Sequence, residues 1–212
     1  MNKGQIGSLP ALDKGCSLRL VLMRHGEPAA QAHGRCYGSL DVGLSEAGRE
    51  QIRSQMDLLR SLAPHVMYTS TCKRAVESAD EIRHKLNMQA RPVPELCEID
   101  FGAFEGLTYA EIESRYPQEY KRWMEHPTEI KFPDGESFSG MKDRVIGFLA
   151  SLFRNHGSRT VLTISHGGVN RVLLAQALEL SDDKIFRIEQ TYAAVSIIDY
   201  FAQSALVRLI NG

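Results

Sequence analysis

The chain has 212 residues, 43% hydrophobic and 24% charged, a globular balance that excludes disordered, collagen-like and coiled-coil readings. Twenty-five Lys and Arg against 26 Asp and Glu leave a formal charge of −1, so no basic surplus points to nucleic acid. Folding at this length buries roughly 70% of the unfolded surface, so a core needs neither disulfides nor structural metal.

Residues 1–17, MNKGQIGSLPALDKGCS, lack the apolar core of a signal peptide, and no apolar run nears the roughly 18 residues of a membrane helix. They are expected to form a flexible N-terminal extension ahead of a domain over 18–212. The four cysteines, Cys16, Cys36, Cys72 and Cys97, form no CxxC pair. Their spacing disfavours zinc and disulfide frameworks and fits a reducing, cytoplasmic setting.

Leu18 to Met23, LRLVLM, reads as a buried strand ending on Arg24, His25 and Gly26. A loop with Gly34, Gly38 and Gly43 follows. Ser45 then caps a helical stretch whose Ile52, Met56, Leu59 and Leu62 recur every three or four residues. Val66 to Thr69 predicts a second strand, and Arg74 to Leu86 a helix with Ala75, Ala79 and Ile82 on one side.

About residues 98–138 break this alternation. Pro117, Pro127 and Pro133 punctuate short helices and loops that read as a helical cap insertion over a site. Tyr109, Tyr116, Tyr120 and Trp123, spaced by 7, 4 and 3 residues, indicate packing. Thr160 to Ser165 predicts a third strand, followed by His166, Gly167, Gly168 and a helix from Val169 to Leu180. Ala193–Tyr200 and Ala205–Ile210 alternate as a hairpin does. Strand alternating with helix predicts an α/β fold, a mostly parallel central sheet flanked by helices.

In such sheets ligands bind beyond the carboxyl ends of the strands, where Arg24, His25, Arg74 and His166 fall. Each alone reads as readily as a structural or solvated residue. Together, two guanidiniums and two imidazoles suit a dianion such as phosphate. An alkoxide leaving group needs a proton, and Glu95, Glu98, Asp100 and Glu105 all offer carboxyls. Spacing does not choose among them.

The stretches LVLMRHGEP, YGSLDVGLSEAGREQ, YTSTCKRAVESA, ELCEIDFGAFEG, FPDGESF and VLTISHGGVNRVLL occur in this order over about residues 18–180. In this set the chain resembles the histidine phosphatase family, the phosphoglycerate mutase-like superfamily. The resemblance implies a three-layer αβα fold and catalysis through a phosphohistidine on His25. It assigns Arg24, Arg74 and His166 to the phosphoryl oxygens, with Gly167 and Gln31 beside them, and Glu98 as the proton donor. It implies no metal and no cofactor, because arginines and a protonated second histidine supply the positive charge.

Pro28 stands where Thr or Ser is usual in the family, Gln31 where many members carry Asn, and Phe104 where Trp is common. Mutases have Arg-His-Tyr after the catalytic Glu. Here Ile99, Asp100 and Phe101 follow, and an acidic residue beside the site would repel a second phosphate. The resemblance therefore favours a phosphomonoesterase acting on a small-molecule phosphate ester, with neither nucleic acid nor membrane as partner. The GRCYGSLDVGLS and FPDGES stretches suggest α-ribazole-5′-phosphate as substrate, with Arg35 and Tyr37 either touching it or only shaping their loop. Mutase-type phosphoryl transfer and a non-catalytic phosphate-recognition domain are the alternatives. The sequence leaves the oligomeric state open, a homodimer included.

Overall fold

Leu18–Arg24 forms strand β1, whose first six residues are all buried. A strand buried on both faces, with only Arg19 polar among these six, has helices on either side. Leu18, Leu20 and Leu22 enter one core while Val21 and Met23 enter the other, the two-residue period of an extended chain. The structure, a computed structural model, describes residues 12–212.

β2 (Val66–Thr69), β3 (Ala90–Pro92), β4 (Thr160–Ser165), β5 (Val195–Tyr200) and β6 (Ala205–Leu209) join β1 in one sheet. The order is β3-β2-β4-β1-β5-β6. β1, β2, β3 and β4 pair in parallel, while β5 runs antiparallel to β1 and to β6. The mostly parallel sheet and the C-terminal hairpin agree with the sequence expectation. β3 was not anticipated: it is three residues long and carries Pro92, which is confined to such an edge because it has no N–H to donate.

α1 (Glu46–Ser54), α2 (Met56–Leu62) and α3 (Lys73–Leu86) cover one face. The single helix expected after Ser45 is two, because Gln55 N–H bonds Ile52 three residues back rather than four. Met56, Leu59 and Leu62 all enter the core of that face, with Leu59 fully buried.

α4 (Tyr109–Arg115) and α5 (Pro117–Glu125) are the short helices of the cap segment. Thr108 and Glu111 form a reciprocal capping box at the start of α4. α6 (Phe138–Asn155) and α7 (Gly167–Ala177) cover the second face. α6 has no counterpart among the expected elements, although Ser137 caps it and Met141, Val145, Leu149 and Leu152 follow a helical period. α7 starts two residues earlier and ends three earlier than expected.

The flexible-extension reading needs correction where it can be followed. Cys16 is buried, and Ser17 N–H donates to Tyr200 O at 2.7 Å, so this stretch packs on the sheet. Residues 1–11 of that extension lie outside the described residues. Among the described residues, no helix is long and apolar enough to cross a membrane.

At the sheet end away from the strand tips, buried Asp199 accepts from Arg19 Nε at 2.6 Å and Nη2 at 2.8 Å, and from Arg208 Nε at 2.9 Å. Arg208 also reaches Asp13. Removing a partner from a buried pair strands the remaining charge. Asp199→Ala is expected to lower unfolding stability by about 3–5 kcal/mol, read as a shift of the urea midpoint at unchanged m-value. A shift matching an exposed-pair variant such as Asp57→Ala would contradict this account.

Candidate active site

β1 and β4 pair in register through Arg24 and Ser165, so the next residues, His25 and His166, leave the sheet side by side. Their ring centroids are 5.1 Å apart, and both side chains are buried. His25 N–H continues the ladder onto Ser165 O at 2.9 Å. Gly26 follows because a Cβ there would sit 2.4 Å from Gly48 O, letting α1 pack against the turn.

The His25 ring has one hydrogen bond, Nδ1 to Gly26 O at 2.6 Å. A carbonyl accepts, so Nδ1 carries the proton and Nε2 keeps its lone pair. Burial pushes the His25 pKa well below 6.5, and the Arg74 and Arg24 charges push the same way. His166 is depressed likewise by burial, then by Arg74, His25 and the other nearby arginines. Its Nε2 meets Ser70 Oγ at 2.8 Å.

Arg74, fully buried on the first turn of α3, is tied to Gly38 O at 2.7 Å and Leu40 O at 3.1 Å. Arg24 reaches Gln190 O at 2.5 Å and lies with its guanidinium carbon 4.2 Å above the Tyr192 ring. Both are held by neutral acceptors, which leaves the guanidinium charges uncompensated. Arg24 Nε, Arg74 Nε and His166 Nδ1 are buried with no hydrogen-bond partner. Unpaired buried polar atoms cost about 1–3 kcal/mol each. Arg24 Nε and Arg74 Nε, beside the His25 ring on the cavity wall, are N–H donors suited to an oxyanion.

Glu98 sets its carboxylate at the start of α7, accepting Gly168 N–H at 2.9 Å and Ile99 N–H at 3.0 Å. A Cβ at Gly168 would lie 2.3 Å from that carboxylate and displace it. Arg144 of α6 fixes the backbone around it. The guanidinium donates to the carbonyls of Glu95, Cys97 and Glu98 while pairing with Glu136 at 2.8 Å.

A cavity of about 290 Å³ opens over these groups, with Arg24, His25, Arg74 and Glu98 on its wall. Tyr37 lines it too, its Oη 2.7 Å from Tyr192 Oη. Arg35 lies at the exposed rim, bonded to Gly106 O at 2.7 Å. His166 stands behind His25 rather than on the wall, and Gly167 opens α7 beside the Arg24 guanidinium. Gln31 sits exposed on a 3-10 turn away from the cavity.

The aromatic cap does more than pack. Tyr116 lies against Phe104, but Tyr109 and Trp123 stack at 16° and face the cavity, joined there by Phe132 and Phe186. Asp100 also departs from expectation: its Oδ1 accepts Gly102 N–H at 2.9 Å and faces a second cavity. It therefore supplies no negative wall beside the phosphoryl groups. Ser70, Arg144, Arg171, Gln190 and Tyr192 were not singled out in the sequence. Ser70 and Arg171 lie inside the stretches YTSTCKRAVESA and VLTISHGGVNRVLL and could have been found there. Among the described residues, no group of three or more His, Cys, Asp or Glu is placed to hold a metal ion.

A family model described as the histidine phosphatase superfamily (branch 1) matches residues 20–212. The chain is 32% identical over 194 residues to phosphoserine phosphatase 1 of Hydrogenobacter thermophilus, covering 92% of each. It is 30% identical over 165 residues to a metal-independent phosphoserine phosphatase of Arabidopsis thaliana, covering 76% of this chain and 69% of that one. An α-ribazole phosphatase of Shigella flexneri superposes with a TM-score of 0.83 at 26% identity, over 92% of this chain and 96% of that one.

The buried imidazoles make stability depend on pH with a definite sign. In the unfolded chain both histidines take up protons near pH 6.5, whereas the folded site resists protonation until well below it. Their contribution is complete above about pH 6.5 and lost as pH falls from there. The melting temperature is expected to drop between pH 7 and 5, and to drop less in His25→Asn/His166→Asn. An equal slope in both proteins would refute this.

Proposed function

The chain belongs to the histidine phosphatase superfamily, and from that premise we propose that it is a metal-independent phosphomonoesterase working through a phosphohistidine on His25. The observation that carries the reading is the neutral His25 ring, its Nδ1 proton held by Gly26 O, beside the unpartnered Nε atoms of Arg24 and Arg74. A recognition domain needs the cations but not a nucleophile so prepared.

In the first step His25 Nε2 attacks phosphorus, the ester P–O bond breaks, and Glu98 delivers a proton to the departing alkoxide. Arg24 and Arg74 take the equatorial oxygens. A dianion in the pocket offsets the Arg24 and Arg74 charges felt at His166, which favours the protonated ring, its Nε2–H on Ser70 Oγ. In the second step Glu98 removes a proton from the attacking water, the N–P bond breaks, and phosphate leaves. One carboxyl serves as acid and then as base.

The leaving group faces the apolar end of the cavity, where Trp123, Phe132 and Phe186 suit a flat ring. That wall supports α-ribazole-5′-phosphate as the first substrate to test, ahead of phosphoserine and 3-phosphoglycerate. A mutase would need a second built phosphate cradle. Of the remaining cavity arginines, Arg35 lies 3.7 Å from the Glu111 carboxylate at the exposed rim, and Arg171 Nε bonds Ile188 O at 2.9 Å.

Hydrolysis of p-nitrophenyl phosphate in the presence of a chelator is expected, and His25→Ala should lose at least about 10³-fold in kcat/KM. Glu98→Gln should lose on the order of 10²- to 10⁴-fold on alkyl phosphates. It should lose less on p-nitrophenyl phosphate in the first step, because nitrophenolate departs without a proton. Activity surviving in His25→Ala, or abolished by chelator, would overturn the mechanism.

A further inference from the structure

Behind the phosphoryl pocket, on the far side of Glu98, lies a second cavity whose wall includes Cys72, Cys97 and Glu98 itself. Cys97 precedes the proposed proton donor, and Cys72 stands at the N-cap of α3, two residues before Arg74. Both thiols are half-buried and free. They gather around one hydroxyl. Ser70 Oγ donates to Cys97 Sγ at 3.4 Å, Cys72 N–H donates to Ser70 Oγ at 3.1 Å, and Thr71 Oγ1 is 3.0 Å from Cys97 Sγ. The same Ser70 Oγ is the 2.8 Å partner of His166 Nε2.

We infer that Cys97 and Cys72 form a peroxide-oxidisable dithiol, a modification site whose disulfide disables the adjacent phosphoryl pocket. Cys97 is the attacking sulfur. The Cys72 thiol beside it, with the hydroxyls of Ser70 and Thr71, holds its pKa well below the ordinary value, while that of Cys72 is raised. A thiolate so stabilised, open to a cavity, is the form that reacts. Cys97 thiolate attacks a hydroperoxide, the O–O bond breaks, and sulfenic acid forms as the peroxide is reduced to water or alcohol. Cys72 sulfur then attacks the sulfenic sulfur, the S–O bond breaks, and water leaves with the Cys72 proton. Two thiols are oxidised by two electrons, and one hydroperoxide is consumed.

The consequence for the pocket follows from the contacts. A disulfide withdraws the acceptor that Ser70 holds, which frees the Ser70 proton and changes what His166 Nε2 meets. It also pulls on the residue covalently next to Glu98, whose carbonyl Arg144 grips. Displacements of about 1 Å at a reacting group can cost on the order of 10²-fold in rate.

The test treats the native protein with hydrogen peroxide, quenches with an alkylating agent, and maps peptides by mass. The expected product links the Cys72 and Cys97 peptides at two hydrogens below their summed mass. Phosphatase activity should fall on the order of 10²-fold alongside it and return on adding dithiothreitol. Cys72→Ser should keep basal activity, yield no linked peptide, and proceed to the irreversible sulfinic product at Cys97. Absence of the linked peptide, with both thiols alkylated after peroxide, would overturn the inference, as would a linked protein retaining full activity. The loss of activity rests on the phosphatase reading, but the mass shift does not, so failure of one is distinguishable from failure of the other.

Discussion

The site depends on one pairing, that of β1 with β4. Because the last rungs join Arg24 to Ser165, the two residues that follow leave the sheet at the same level and bring their imidazoles together. Both strands are buried on both faces, so their side chains alternate between two filled cores. A slip of one residue would send Leu20 and Val21 to the wrong cores and put Arg24 or Gly26 where His25 stands. The packing that makes this sheet stable is therefore what sets the geometry of the histidines.

A second consequence concerns charge. Elsewhere in the fold arginines meet carboxylates: Arg19 with Asp199, Arg49 with Glu77, Arg53 with Glu81, Arg144 with Glu136. At the pocket Arg24 and Arg74 are steadied by backbone carbonyls, which orient a guanidinium without cancelling it. Concentrated positive charge in a desolvated pocket keeps the imidazoles neutral. The same burial that leaves the two guanidinium charges uncompensated also holds the proton off both imidazoles.

What the sequence disclosed follows the range of the interactions involved. Strands β1, β2 and β4 and the covering helix α3 are written in local apolar runs and periods, and the residues just beyond the strand ends could be named from them. α6 was equally legible in its period and its Ser137 cap. Gln190 and Tyr192 were not, since each acts through partners distant in the chain, as Gln190 O does on Arg24. Asp100 misled for a local reason: it turns its carboxylate onto Gly102 N–H, so nearness to Glu98 in sequence did not become nearness at the site.

Two charged residues that touch backbone hold the loops around the cavity in place. Glu105 gathers the backbone N–H groups of Gly38, Ser39, Leu40 and Phe101 on a single carboxylate, anchoring the loop whose carbonyls hold Arg74 to the base of the cap. Arg144 does the same for the segment carrying Glu98. The reacting groups are thereby fixed by charged residues that touch backbone. Tyr109 and Trp123, on α4 and α5, line the cavity above that frame, and Trp123 also packs on Phe101, Phe104 and Phe132, tying the cap to it.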